Sequence, residues 1–126
     1  MGRSAGNADR RRSRTAPRGD PCASALRSLA KEARKTTRAY LIGITGSVGK
    51  TGTKEALRLV LKDQGKTYAT DGNLNNHIGV PLTLLSMDQQ TEFGIVEMGA
   101  NHPLEIAFLC TIANPDYGYI TNFGHF

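Results

Sequence analysis

The sequence predicts an α/β protein, a mostly parallel sheet flanked by helices, and three observations carry that prediction. Short apolar segments rich in β-branched or aromatic residues recur at 40–45, 93–98 and 117–121, as buried parallel strands require. Between them lie stretches whose apolar residues repeat at helical spacing. The first apolar segment runs directly into the glycine-rich turn G-S-V-G-K-T from Gly46, and a helix-like stretch follows. Strands and helices alternating at short intervals favour parallel pairing, because each parallel connection has to cross over the sheet.

The elements follow in order. Asp20-Pro21 is a helix start, an N-cap acceptor followed by proline at the first helical position, and Leu26, Leu29, Ala30 and Ala33 continue a helix over 21–37. The strand at 40–45 delivers the chain into the glycine turn. A helix over 50–64 follows, with Ala56, Leu57, Val60 and Leu61 as its apolar face and Gly65 as its stop. A strand at 67–70, a polar loop at 71–79 and a helix at 81–87 beginning with proline come next. The strand at 93–98, the helix at 103–113 with Asn101 and His102 as capping candidates, and the strand at 117–121 complete the pattern.

Composition narrows the function classes. The chain has 126 residues, 39% hydrophobic and 21% charged, which suits one soluble domain of ordinary size. No apolar run approaches the roughly 18 residues of a membrane span, and no signal-peptide pattern is present, so a cytoplasmic protein is expected. The net charge of +5 is unevenly placed. Residues 1–20 hold six arginines against two aspartates, whereas the remainder holds ten basic residues against nine acids. This tail has too little apolar surface to offset its ordering entropy and is expected to be disordered. Its arginines permit nucleic-acid or anionic-membrane contact, yet nothing aromatic or helical accompanies them, and no specific nucleic-acid partner is expected. Cys22 and Cys110 lack metal-ligand spacing and read as incidental thiols, a disulfide being the alternative.

The glycine turn carries the first functional hypothesis, a nucleoside triphosphate site. Gly46 and Gly49 let the backbone turn tightly, and the N–H groups of Gly46, Ser47, Val48 and Gly49 can face phosphate oxygens beside a helix N-terminus. Lys50 reaches the outer phosphates, and the Thr51 hydroxyl can hold Mg2+. The turn is shorter than the common G-x-x-x-x-G-K-[ST] loop, since Ile44 stands where the first glycine would be. Its alternative is a solvated strand-to-helix turn.

In open α/β sheets ligands gather at the carboxyl ends of strands. Glu97 falls there, as a metal-binding carboxylate or as one half of a structural ion pair. The loop 71–79, with Asn73, Asn75 and Asn76, suits a polar ligand, although asparagine-rich turns also occur without one. Asn101 and His102 add an amide and an imidazole beyond Glu97, with helix capping as their plainer role. His77 and His102 are too isolated to form a metal centre.

These segments together resemble a known family. I-T-G-S-V-G-K-T from Ile44, T-K-E from Thr53, G-N-L-N-N-H-I-G-V-P-L-T-L-L from Gly72, E-M-G-A-N-H from Glu97 and I-T-N-F-G from Ile120 look like the ATP-binding central domain of the Mur ligases. The G-N-L-N-N and E-M-G-A-N-H segments resemble the branch that adds D-alanyl-D-alanine to UDP-N-acetylmuramoyl-tripeptide, the MurF type. The resemblance covers about residues 21–124.

The resemblance implies an ATP-dependent amide ligase of peptidoglycan precursor synthesis, with ATP and Mg2+ as cofactors. In that family the substrate carboxylate attacks the γ-phosphate, and the incoming amine then displaces phosphate from the acyl phosphate. By position Lys50 corresponds to the catalytic γ-phosphate lysine, Thr51 and Glu97 to metal ligands, and Asn73, Asn75, Asn76, Asn101 and His102 to the segments around the muramoyl-peptide site. Related ligases such as folylpolyglutamate synthase, and a nucleotide-binding fragment without activity, are the alternatives. The family also has a UDP-sugar domain before this region, an A-H-x-E segment whose histidine serves the metal, and a domain after it. His125 stands two residues short of that histidine's usual spacing. The expectation is therefore that residues 21–126 form the first part of the central domain, inactive alone, of a protein that is monomeric at full length.

Overall fold

The computed structural model describes residues 21–72, 74–99 and 103–122. The arginine-rich segment expected to form a tail, and its Asp20 cap, lie outside these residues. The elements are α1 (Pro21–Thr36), β1 (Tyr40–Thr45), α2 (Lys50–Leu61), β2 (Thr67–Ala69), α3 (Gly79–Ser86), β3 (Phe93–Glu97), α4 (Pro103–Ala113) and β4 (Tyr117–Ile120). The four strands form one sheet in the order β2-β3-β1-β4, and every pair is parallel. The predicted fold class is the observed one.

Strand alternation divides the two faces of the sheet. Leu41 and Val96 point to one face, where they pack with Ala30 of α1, Val80 and Leu84 of α3, and Leu109, Ile112 and Ala113 of α4. Each large side chain buried there contributes on the order of 1.5–3 kcal/mol. Ile44, Ile95 and Glu97 point to the opposite face, and Lys54 of α2 meets Glu97 there. The register pairs Ile42 with Ile95 and Ile44 with Glu97, so β1 and β3 end level with one another. From that edge the chain leaves β1 into α2 on one face and leaves β3 towards α4 on the other. A crevice opens where such connections diverge.

Several boundaries and one helix phase differ from the sequence expectations. Helix α2 ends at Leu61, three residues early, and closes through a turn in which the Gly65 N–H donates to the Leu61 carbonyl at 3.1 Å. Helix α3 starts at Gly79, two residues before Pro81, because Asn76 Oδ1 accepts from the N–H groups of Ile78 (3.1 Å) and Gly79 (2.8 Å). Pro81 then sits in the first turn, where a missing N–H forfeits no helical bond. Strands β2, β3 and β4 each stop one residue before the expected end. The apolar face expected for α2 is also corrected. Val60 is 65% exposed and Ala56 is exposed, whereas Lys54 is buried and Leu57 and Leu61 are partly so. Leu29 of α1 likewise faces outward, and Ala23 and Ala30 are the buried positions of that helix. Cys110 is a free, half-buried thiol whose pKa burial raises, so the disulfide alternative is not realised.

Arg34 fastens α1 to the far end of α4. Its Nε donates to the Ala113 carbonyl at 2.7 Å, and its Nη2 to the Asn114 carbonyl at 2.9 Å and to Asp116 Oδ2 at 3.2 Å. Asn114 adopts φ 43°, the left-handed residue that ends many helices, and Pro115 follows it. Asp116 Oδ2 also accepts from the Leu41 N–H at 2.8 Å, tying the same corner to β1. Arg34→Met removes the donors from two helix-end carbonyls and is expected to lower stability by about 1–3 kcal/mol. Urea denaturation of the variant with an unchanged m-value checks this, and a loss below about 0.5 kcal/mol contradicts it.

Candidate functional site

The turn between β1 and α2 is a glycine-rich strand-to-helix turn. Gly46 (φ 138°) and Gly49 (φ 85°) both lie in regions that favour glycine. Gly46 is constrained by space as well, since a Cβ there would lie 2.0 Å from Thr121 Oγ1. Gly49 is the N-cap of α2, so its N–H and those of Lys50 and Thr51 have no acceptor within the helix. They form a positive helix end of the kind that binds anions. Lys50 folds back over the loop, and its Nζ donates to the Gly46 carbonyl at 2.8 Å. Ser47 Oγ is buried with no hydrogen-bond partner among the described residues, an orphaned hydroxyl that a bound anion would satisfy.

Beside the loop stands Glu97, 3% exposed at the end of β3. Such a carboxylate is tolerated only when partners replace its water. Thr51 Oγ1 lies 3.4 Å from its Oε1, Asn75 Nδ2 donates to its Oε2 at 3.0 Å, and Lys54 Nζ stands 3.8 Å from Oε1. Lys54 is equally buried and donates to the Thr70 carbonyl at 2.8 Å. Thr70 Oγ1 in turn accepts from the Glu97 N–H at 2.8 Å. Glu55 lies 3.8 Å from Lys54, but a hydrogen bond from Arg58 occupies it and holds its carboxyl below the usual range.

The structure brings together Gly46, Ser47, Val48, Gly49, Lys50, Thr51, Asn75 and Glu97 at one edge of the sheet. The side chain of Val48 is 66% exposed, and the N–H groups of Ser47 and Val48, expected to face phosphate, are instead taken by the Asn122 side chain. Asn76 caps α3, the plainer of the two roles open to it. His77 is exposed. Asn73, Asn101, His102 and His125 lie outside the described residues, so their expected contributions are not placed. The ion-pair alternative for Glu97 is present as geometry, in the form of Lys54.

Sequence reading missed Lys54, Thr70 and the pair Thr121-Asn122. Lys54 lies four residues after Lys50 and three after Thr51, on the same side of α2, and that spacing was the available signal. Asn122 Oδ1 accepts from the N–H groups of Ser47 (2.9 Å) and Val48 (3.2 Å), and Thr121 Oγ1 donates to the Val48 carbonyl at 2.6 Å.

The site also suits a hard divalent cation. Thr51 and Glu97 offer two oxygen donors 3.4 Å apart, near the roughly 3 Å edge of an octahedron with Mg–O bonds of about 2.1 Å. Among the described residues no three His, Cys, Asp or Glu side chains gather as a cage. That sparse set is typical of Mg2+, which takes one or two protein oxygens and completes its shell with water and phosphate.

Fold and site together define a parallel α/β domain with a glycine-rich strand-to-helix turn at the carboxyl end of its first strand. Residues 44–125 match the Mur ligase middle domain, and the chain belongs to that family. It is similar to the UDP-N-acetylmuramoyl-tripeptide--D-alanyl-D-alanine ligases of Bacillus subtilis (46% identity over 83% of this chain) and Escherichia coli (40% over 78%). Among solved structures it is similar to MurF from Acinetobacter baumannii, with a TM-score of 0.78 and 39% identity over 81% of this chain. MurF ligase from Thermotoga maritima in complex with ADP is similar with a TM-score of 0.70 and 39% identity over 77% of this chain. The chain spans less than a quarter of each relative, 23%, 22%, 23% and 23% respectively.

The buried cluster yields a stability test. Glu97→Ala leaves the buried Lys54 ammonium with the Thr70 carbonyl and only Glu55, already occupied by Arg58, as a counter-charge, and is expected to cost about 3 kcal/mol, whereas Lys54→Met leaves Glu97 its Thr51 and Asn75 partners and costs less. Chemical denaturation of both single variants and the double variant should reveal a coupling of about 1–2 kcal/mol. Additive losses contradict the pairing.

Proposed function

We propose that this chain is the first part of the ATP-binding middle domain of a ligase that adds D-alanyl-D-alanine to UDP-N-acetylmuramoyl-tripeptide. The observation that carries the reading is Glu97, buried at the end of β3 and turned to Thr51 beside the phosphate loop. A bare structural turn has no need of a buried carboxylate whose oxygen faces the first hydroxyl of the following helix. The names of the relatives and the ADP bound in the Thermotoga maritima structure support the same nucleotide chemistry.

In this proposal the free N–H groups at the start of α2 receive phosphate oxygens, and Lys50 exchanges the Gly46 carbonyl for the outer phosphates. Thr51 and Glu97 would hold Mg2+, which when bound would supply charge neutralisation between the phosphates and the attacking carboxylate. The barrier to bringing these anions together falls because the positive groups are already in place. Asn75 orients Glu97 and thereby links the asparagine-rich loop to the metal position. By sequence position alone, Asn73, Asn75, Asn76, Asn101 and His102 are assigned to the muramoyl-peptide side. Residues 21–126 serve as one part of a larger cytoplasmic enzyme that acts as a monomer, and they are inactive without the rest of it. No helix among the described residues is long and apolar enough to cross a membrane.

The test measures MgATP affinity and phosphate release by the full-length protein with UDP-N-acetylmuramoyl-tripeptide and D-alanyl-D-alanine. Lys50→Ala is expected to lower kcat/KM by about a hundredfold or more, as loss of a charge-stabilising group does. ATP binding without release on adding both substrates returns the chain to a nucleotide-binding module. An unchanged Lys50→Ala variant removes the phosphate-loop reading.

A further inference from the structure

Two residues past β4 hold the phosphate loop in shape from outside. The Thr121 N–H donates to the Thr45 carbonyl at 2.8 Å, which continues the sheet's pairing by one step beyond Ile120. That places Thr121 Oγ1 on the Val48 carbonyl at 2.6 Å. The Asn122 carboxamide oxygen then accepts from two successive loop N–H groups, those of Ser47 and Val48. These contacts span more than seventy residues of sequence, so the loop's own composition does not encode them. Gly46 records the same closeness, since any side chain there would collide with Thr121.

We infer that Thr121 and Asn122 are positioning residues for nucleotide binding, a brace that fixes the phosphate loop in its receptive conformation before the ligand arrives. The inference rests on the nucleotide-binding reading above. A loop of this kind with two glycines at positive φ has many alternative conformations, and selecting one of them on binding weakens affinity by the fraction of time the loop is competent. Ser47 and Val48 are held by Asn122, while the N–H groups of Gly49, Lys50 and Thr51 at the start of α2 have no acceptor within the helix. The brace and the ligand therefore use different donors and act together. A carboxamide suits this place because its oxygen accepts two N–H bonds without bringing a negative charge beside a triphosphate.

The experiment compares the full-length protein with its Asn122→Ala, Asn122→Asp and Thr121→Val variants. Two readouts are taken: titration with fluorescent MgATP, and hydrogen exchange of the Ser47 and Val48 amides without nucleotide. Asn122→Ala is expected to speed exchange at those two amides and to weaken MgATP binding about tenfold, with the thermal transition nearly unchanged. Thr121→Val should weaken binding by about threefold, since one bond is lost. Asn122→Asp separates shape from charge. Its carboxylate keeps the two amides protected, yet it repels the triphosphate and still weakens binding. Unchanged exchange or unchanged affinity in Asn122→Ala overturns the brace. A wild-type protein that binds no MgATP overturns the nucleotide reading instead, and its own titration tells the two failures apart.

Discussion

The site depends on one constraint, the burial of the Glu97 carboxylate at the end of a central strand. A carboxylate 3% exposed has lost nearly all its water, and each surrounding element supplies a replacement. Helix α2 supplies Thr51 and Lys54, the loop after β2 supplies Asn75, and Thr70, just past the end of β2, receives Lys54 on its carbonyl. The rotation of α2 about its axis is consequently set by charge. Lys54 must face inward, and Ala56 and Val60, on other sides of the helix, turn out. Because Thr51 lies one turn before Lys54, the same rotation brings its hydroxyl to the carboxylate.

The parallel sheet places this cluster where a ligand can reach it. Adjacent β1 and β3 end level, and their following segments depart to opposite faces, leaving the glycine loop and Glu97 side by side. From the other side of β1, β4 ends beside the same loop and delivers Thr121 and Asn122 to it. The shape of the turn thus depends on three strand ends, and Gly46 is what allows the end of β4 to approach so closely.

Much of this was legible in the sequence. The strand and helix order, the parallel class and the loop residues Gly46 to Thr51 followed from periodicity and glycine spacing. Glu97 stood out as an acid closing an apolar strand. What stayed hidden was determined by distant partners. Lys54 interrupts an apolar pattern, and a rule that sends charge to solvent turns α2 the wrong way, because the acid that draws Lys54 inward is 43 residues further along. Thr121 and Asn122 carried a family likeness without a role, since their role is a contact with backbone groups more than seventy residues earlier. The start of α3 was missed for a local reason, as Asn76 caps the helix before Pro81 and proline sits comfortably in a first turn.

The most direct test of the central claim is a crystal structure of the full-length protein with Mn2+ and a non-hydrolysable ATP analogue, using anomalous scattering to locate the metal. The account predicts a manganese peak bridging Thr51 Oγ1, Glu97 and the phosphates, with Lys50 turned to those phosphates and Lys54 still on the Thr70 carbonyl. Nucleotide bound away from the Gly46–Thr51 turn, or a metal peak without Glu97 as ligand, would contradict it.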